Sequence, residues 1–133
     1  MATEEHNLVL ILARGLASSV ATPMVLVAPD GTIVYFNEPA EPILGQTYAE
    51  AGEMSRDEWL AQFVPQEVES GQGDLDALPI GIALKERRPA HRSLMITGAD
   101  GERRSIAVTA FPLFARTEEL AGALAIFWEE DQA

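Results

Sequence analysis

Cysteine is absent from the 133 residues, which excludes a disulfide framework, a thiolate metal site and any cysteinyl adduct. Histidine is nearly absent too, with His6 and His91 alone. Basic residues are scarce: nine stand against twenty-one acidic ones, for a net charge of minus twelve. A chain of that charge repels phosphate backbones, so nucleic acid is not an expected partner. Nor is a membrane, because the apolar run Leu8 to Ala13 is far shorter than the roughly 20 residues a spanning helix needs. The first residues, Met-Ala-Thr-Glu-Glu, are acidic where a secretory signal is basic, and the expected location is cytoplasmic. Catalytic signatures are missing as well. There is no cysteine nucleophile, no serine paired with histidine in a known motif, no metal-ligand spacing and no phosphate-cradling glycine loop. The acidic pairs Glu118-Glu119 and Glu129 to Asp131 lie at a turn and an end, where charge runs are solvated. The chain reads as non-catalytic.

What is present has the makeup of one globular domain, 47% apolar and 23% charged. It is organised around Met24 to Gly45, MVLVAPDGTIVYFNEPAEPILG. Met24 to Ala28 and Thr32 to Phe36 carry the β-branched and aromatic residues that suit a pleated surface. Pro29-Asp30-Gly31 between them supplies a type I turn with its glycine at a bulge, closing a hairpin. Asn37 follows, placed to cap the next helical turn with its side-chain oxygen, and that turn ends at Gly45. Alternation turns Val25 and Val27 toward the interior, and Met24 and Leu26 outward.

Before this hairpin, Asn7 to Val20 reads as a helix with Leu8, Ile11, Leu12, Gly15, Leu16 and Ser19 on one stripe, widened by Val9, Leu10 and Val20. A helix apolar over most of its girth either folds against its own sheet or is shared with a partner. After the hairpin, a helix is expected over Ser55 to Phe63, with Ser55 and Glu58 as a capping box and Trp59, Leu60 and Phe63 buried. Pro65 stops it. Gln66 to Asp76 reads as a mobile surface loop, and Leu78 to Glu86 as a helix packed through Leu78, Ile82 and Leu84 or Lys85. Three strands complete the chain: His91 to Thr97, Arg103 to Phe111 and Ala121 to Trp128, the first two joined by a tight turn at Ala99-Asp100-Gly101. In the last strand both residue sets are apolar, Ala123, Ala125 and Phe127 on one side and Leu124, Ile126 and Trp128 on the other, which requires cover on both faces. The apolar first helix is the natural cover, pairing Leu8, Ile11 and Leu12 with Leu124, Ile126 and Trp128 of the same or a second chain. Lys85, Arg87, Arg88, Arg92, Arg103 and Arg104 put six of nine basic residues into twenty positions. They either meet an acidic partner or neutralise Glu86, Asp100 and Glu102 locally.

The hairpin segment, the passage ALKERRPAHRSLMITGADGERRSIAVTAFPL and the final GALAIFW, in this order and spacing, resemble a PAS domain over roughly Leu16 to Glu129. The resemblance implies an α+β fold. Its five-stranded antiparallel sheet has the order 2-1-5-4-3, with short helices over one face enclosing a small cavity and an amino-terminal helix on the other. The implied domain plan is residues 1–20 as that helix, 21–131 as the PAS domain and 132–133 as a tail. It further implies a sensory or protein-interaction module, dimeric through the helix before the first strand, with a protein effector as a second kind of partner. Asn37 matches the family's frequent asparagine after the second strand, and Asp30 and Gly31 match its hairpin. Two features depart from the pattern: Pro39 and Pro42 shorten or distort the first helix, and Glu129-Glu130-Asp131 replaces the usual aspartate-isoleucine-threonine output motif. The chain therefore acts alone by association or belongs to a longer protein. A haem-binding relative places a histidine on the helix before the third strand, whereas His91 follows Pro89 at a strand start, which disfavours haem. A cysteine-type flavin is excluded by composition. The candidate cavity lining is Val25, Val27, Asn37, Leu94, Ile96, Ile106, Val108, Ala110, Ala125 and Phe127. Apart from Asn37 that set offers no polar group to a flavin edge, so no cofactor is expected, and the interior is either filled or takes a fatty-acid-like apolar molecule. The candidate interface is Leu8, Ile11, Leu12, Met24, Leu26, Leu124, Ile126 and Trp128.

Overall fold

Two short strands, β1 (Met24–Val27) and β2 (Ile33–Phe36), form the expected hairpin, with Val25 opposite Phe36 and Leu26 opposite Tyr35. Its turn is held by the Asp30 carboxylate, which accepts from the Thr32 amide at 3.0 Å, and by Gly31 at φ 92°, where a side chain would be strained. The computed structural model describes residues 2–65, 75–116 and 119–130, with side chains from residue 8 onward. Much of the expected acidic loop, residues 66–74, lies outside the described residues, as do Glu118 and Asp131 of the acidic pairs.

The remaining strands are β3 (Ala90–Thr97), β4 (Arg103–Arg116) and β5 (Glu119–Glu129). All pairings are antiparallel and the order is β2-β1-β5-β4-β3, the α+β architecture expected from the sequence. β4 runs five residues beyond the expected end at Phe111. Past Ala110 it pairs with β5 alone, so Pro112 sits as on an edge strand and forfeits no bond to β3.

One sheet face is covered by short helices. The two prolines act as expected: a 3-10 turn (Glu38–Ala40) leads into a single turn, α2 (Glu41–Leu44), which ends at Gly45 in the left-handed region. Next come α3 (Tyr48–Ala51) and α4 (Arg56–Phe63). Ser55 and Glu58 form the capping box of α4, and Trp59, Leu60 and Phe63 are buried. A 3-10 turn (Leu75–Ala77) precedes α5 (Pro79–Glu86). Of the expected packed side of α5, Leu78 is buried and Leu84 packs against the core, but Pro79, Gly81 and Ala83 are buried as well, and Lys85 is exposed and salt-bridged to Asp76 at 2.7 Å. Small residues win because α5 lies directly on the Leu75 carbonyl, where a Cβ at position 81 would overlap.

The other face is covered by α1 (Ala2–Ala17), which packs across β1, β4 and β5. It ends three residues before the expected Val20. The Ser18 and Ser19 hydroxyls both donate to the Gly15 carbonyl, at 2.9 and 3.1 Å, and compete with further helical bonding. Ala17 at its end and Leu26, Ala107, Ala121 and Leu124 of the sheet are buried on this face, apart from the main core.

The β3–β4 turn is tied to the helical side by one ion pair. The Arg104 guanidinium donates to Asp100 at 2.8 and 3.2 Å and to the Ile43 carbonyl at 3.0 Å, while the Ala99 amide donates to the Leu44 carbonyl at 2.8 Å. The Arg104 bonds, with a further one from the Glu102 amide at 3.1 Å, hold the Asp100 carboxyl well below its ordinary 3.8, at about 2. A depressed carboxylate contributes stability above its unfolded value and loses it as pH falls through the folded one. Asp100→Asn is therefore expected to lower the melting temperature near neutral pH. The gap to wild type should close as pH falls from about 3.8 toward about 2, followed by circular dichroism. A gap of constant size across that range would contradict the ion pair's contribution.

Candidate functional site: an apolar cavity and an exposed helix face

Between the sheet and the helices lies a cavity of about 80 Å³. From the sheet, Val25, Leu94, Ile96, Ile106, Val108, Ala125 and Phe127 line it. Val27, Ala110 and Asn37 do not. Val27 and Ala110 are buried in the core beside it, at 1% and 0% exposure, where neighbouring side chains fill the space. Half of the wall was not assigned from sequence: Leu44, Trp59, Phe63, Val64, Leu78, Pro79 and Ile80 come from the helices, and Ile33 from β2. The buried faces of these helices were the available signal, since Trp59 and Phe63 already stood out as apolar. The Trp59 indole donates to the Gly31 carbonyl at 2.8 Å, so its polar atom is satisfied away from the cavity.

Among the described residues no lining side chain offers a carboxylate, an imidazole or a hydroxyl. Such a space stays dry and admits only a small apolar guest. It is also well below the roughly 300–1,000 Å³ of a site for a drug-sized ligand. The expected fatty-acid-like occupant is therefore larger than the cavity as it stands.

Asn37 plays a different part from the cap that its position suggested. It caps no helix with its side chain, and it is buried at 1%. Its amide group donates to the Ala17 carbonyl at 3.0 Å and the Thr22 carbonyl at 2.8 Å, and its Oδ1 accepts from the Met24 amide at 2.9 Å. The side chain is thus spent on the end of α1 and the start of β1. Arg14, which sequence reasoning passed over, lies above two rings, 4.5 Å from the Tyr35 centroid and 5.4 Å from that of Tyr48.

The candidate interface residues separate into two groups. Leu26 and Leu124 are buried under α1, and Met24 and Ile126 are half-buried. Leu8, Ile11 and Leu12 do not pair with the sheet of their own chain. They remain 55%, 65% and 65% exposed, joined by Leu16 at 58% and, on β5, Trp128 at 44%. The opposite side of α1, through Leu10, Ala13 and Ala17, faces the sheet, because small residues and Gly122 allow close approach there. A Cβ at Gly122 would overlap the Val27 carbonyl and stand 3.0 Å from Leu10.

His91 is exposed, with Nδ1 2.8 Å from the Thr109 hydroxyl and its ring 6.3 Å from that of Trp128. Among the described residues no group of three acidic or histidine side chains could hold a metal ion. The basic strip is occupied in part by its own neighbours: Arg88 pairs with Glu86 at 3.0 Å, and Arg104 with Asp100. No described helix is long and apolar enough to cross a membrane.

A five-stranded antiparallel sheet of this order, with helices over an apolar cavity on one face and a further helix on the other, defines an α+β domain of PAS-like architecture. A family model described as a PAS domain matches residues 21–129, and the chain belongs to the PAS domain family, whose members are sensory and interaction modules. No curated protein sequence matches it. Among solved structures it is similar to the PAS domain of a protein from Colwellia psychrerythraea, at 16% identity over 93% of this chain and 98% of that chain, with a TM-score of 0.68. It is also similar to the Rhodobacter sphaeroides LOV protein, at 17% identity over 98% and 68% of the two chains, with a TM-score of 0.69. A third is the PAS domain of nitrogen regulation protein NR(II) from Vibrio parahaemolyticus, at 18% identity over 90% and 98%, with a TM-score of 0.61. At these identities the likeness establishes the fold.

Val25→Ile adds one methylene facing the cavity. It is expected to raise stability in urea unfolding by about 0.8 kcal/mol. A loss of stability instead would mean that the space is not open to a side chain.

Proposed function

We propose that this chain is a non-catalytic, cytoplasmic PAS sensory and interaction module that works as a homodimer through α1 and the outer sheet face. The observation that carries this reading is the exposed stripe Leu8, Ile11, Leu12 and Leu16. Its spacing of three, one and four residues keeps all four on one side of the helix. Full burial of a leucine or isoleucine is worth roughly 1.5–3 kcal/mol, and a two-fold axis makes every contact twice. Across two copies the gain is comparable with the cost of association, roughly 4–15 kcal/mol. Trp128, half-buried Ile126 and α1 supply one continuous apolar surface on the sheet side opposite the cavity. Occupancy of the cavity, or of a partner surface, would act by shifting how α1 packs on the sheet. Effector proteins would read that shift.

A second reading is favoured by the apolar lining of the cavity: a binding protein for a small apolar molecule. The volume of about 80 Å³ limits a guest that leaves the walls in place to a few heavy atoms, so a fatty-acid-like chain requires the helices to move outward. Native mass spectrometry of wild type and Leu12→Asp separates the two readings. The expected outcome is a wild-type dimer and a monomeric Leu12→Asp variant, each at the mass of the bare chain. A monomeric wild type, checked by sedimentation, would remove the dimer, and a bound apolar mass would favour the second reading.

A further inference from the structure

Asn37 touches four parts of the chain at once. Its side chain bonds the Ala17 carbonyl at the end of α1, the Thr22 carbonyl in the linker and the first amide of β1 at Met24. Its backbone amide donates to the Met24 carbonyl at 3.2 Å, and its carbonyl accepts from the Ala40 amide at 3.0 Å. Both donors and the acceptor of this buried amide are used, and no other residue type of its size offers two donors and an acceptor in that arrangement.

Directly after it, Glu38 to Leu44 forms one continuous piece, a 3-10 turn followed by α2. Pro39 and Pro42 fix φ at two of its seven positions, which stiffens the piece. Ala40 and Ile43 anchor it in the core, at 0% and 7% exposure. Its last residue, Leu44, is a wall of the cavity. A displacement of that wall therefore reaches Asn37 through a short, stiff segment rather than through a loop. At the other end, α1 has a second grip on the same region, Arg14 lying over Tyr35 of β2 and Tyr48 of α3, whose hydroxyl donates to the Val34 carbonyl at 2.6 Å.

We infer that Asn37 and the proline-stiffened segment behind it form a relay that couples the cavity wall at Leu44 to the seating of α1 on the sheet. The signalling role of this relay rests on the reading of α1 as the dimer helix, whereas the mechanical coupling does not. Asn37 is a positioning residue: it touches no guest and sets where α1 ends. Helix geometry magnifies the effect, since a small tilt at Ala17 moves Leu8, about 13 Å away along the axis, much further.

Asn37→Asp keeps the shape and the bond from Met24 but sets an oxygen against two carbonyls. Protonated or not, it satisfies at most one of them. In amide exchange followed by NMR, the last two turns of α1 are expected to exchange about tenfold faster, the scale of one lost hydrogen bond, while Ala123 to Phe127 in β5 keep their wild-type protection. Leu44→Ala should accelerate the same α1 amides and add little in the Asn37→Asp background. Equal acceleration in α1 and β5, or additive effects of the two substitutions, would overturn the relay. If a variant does not fold, native-state exchange of wild type in low urea decides. The Met24 and Asn37 amides are expected to open together with the last turn of α1, and opening only with the global transition would refute the inference. Sedimentation of the same samples reports the dimer separately, because exchange reads the coupling in a monomer as well.

Discussion

The structure depends on one constraint: β5, the middle strand of the sheet, is apolar on both of its faces. Ala121, Ala123, Leu124, Ala125 and Phe127 are all buried, so neither side can be left to solvent. An antiparallel sheet is stable with one wet face, and this one has given up that option at its centre. The short helices meet the requirement on one side. On the other side α1 does so, and its close seating is allowed by Gly122 and by the small residues facing it. The amino-terminal helix is thus part of the fold's own core, with a second apolar side left over.

That leftover side and the cavity stand on opposite faces of the same five strands, and the sheet itself is a poor conductor between them. Its inner and outer side chains belong to separate packing layers, and its ladder resists bending. The connections that bypass the sheet run around its edge near the β1 and β2 ends, where Asn37 and the Arg14 pair with Tyr35 and Tyr48 join α1 to the helical layer. At the other edge, Arg104 and Asp100 fasten the β3–β4 turn to the end of α2. Both fastenings therefore converge on the segment Glu38 to Leu44. It is held from both sides of the molecule, which suits it to carry displacement and makes it costly to loosen.

The hairpin turn, the capping box of α4 and the cover required on both faces of β5 were legible in the sequence, because each follows from local periodicity or turn chemistry; the strand order came with the family resemblance. The sheet half of the cavity was legible for the same reason, since alternation along a strand fixes which residues face inward. The helical half was not. Which side of Pro79–Glu86 packs depends on its approach to the Leu75 carbonyl, a contact set by the assembled layers. Asn37 was misread for a related reason. Its place before a helical turn is that of a cap, but a buried amide takes whichever partners leave the fewest polar groups unpaired, and those were the carbonyls of Ala17 and Thr22, distant in sequence. The broad apolar girth of α1 gave no means of choosing its inner side; Gly122, opposite Leu10, made the choice.

The size and lining of the cavity bear on what kind of sensor this chain is. A fold that encloses a large cofactor needs polar groups at the ring edge and walls set apart to receive it. Here Trp59, Phe63 and Phe127 are among the walls, and the small space they leave is wholly apolar. Free energy available from a guest of a few heavy atoms is limited, about 1.5 kcal/mol per heavy atom at best. A guest that small can shift the seating of α1 only if the competing arrangements are already close in free energy. On the same proposal, surface events would have access to Glu38 to Leu44 from the other direction: whatever covers Leu8, Ile11, Leu12 and Leu16 would pull on the end of α1, and through Asn37 on the same wall. On the proposed reading, occupation of the cavity and association through α1 would be linked in both directions, and each would have to favour the arrangement that the other selects.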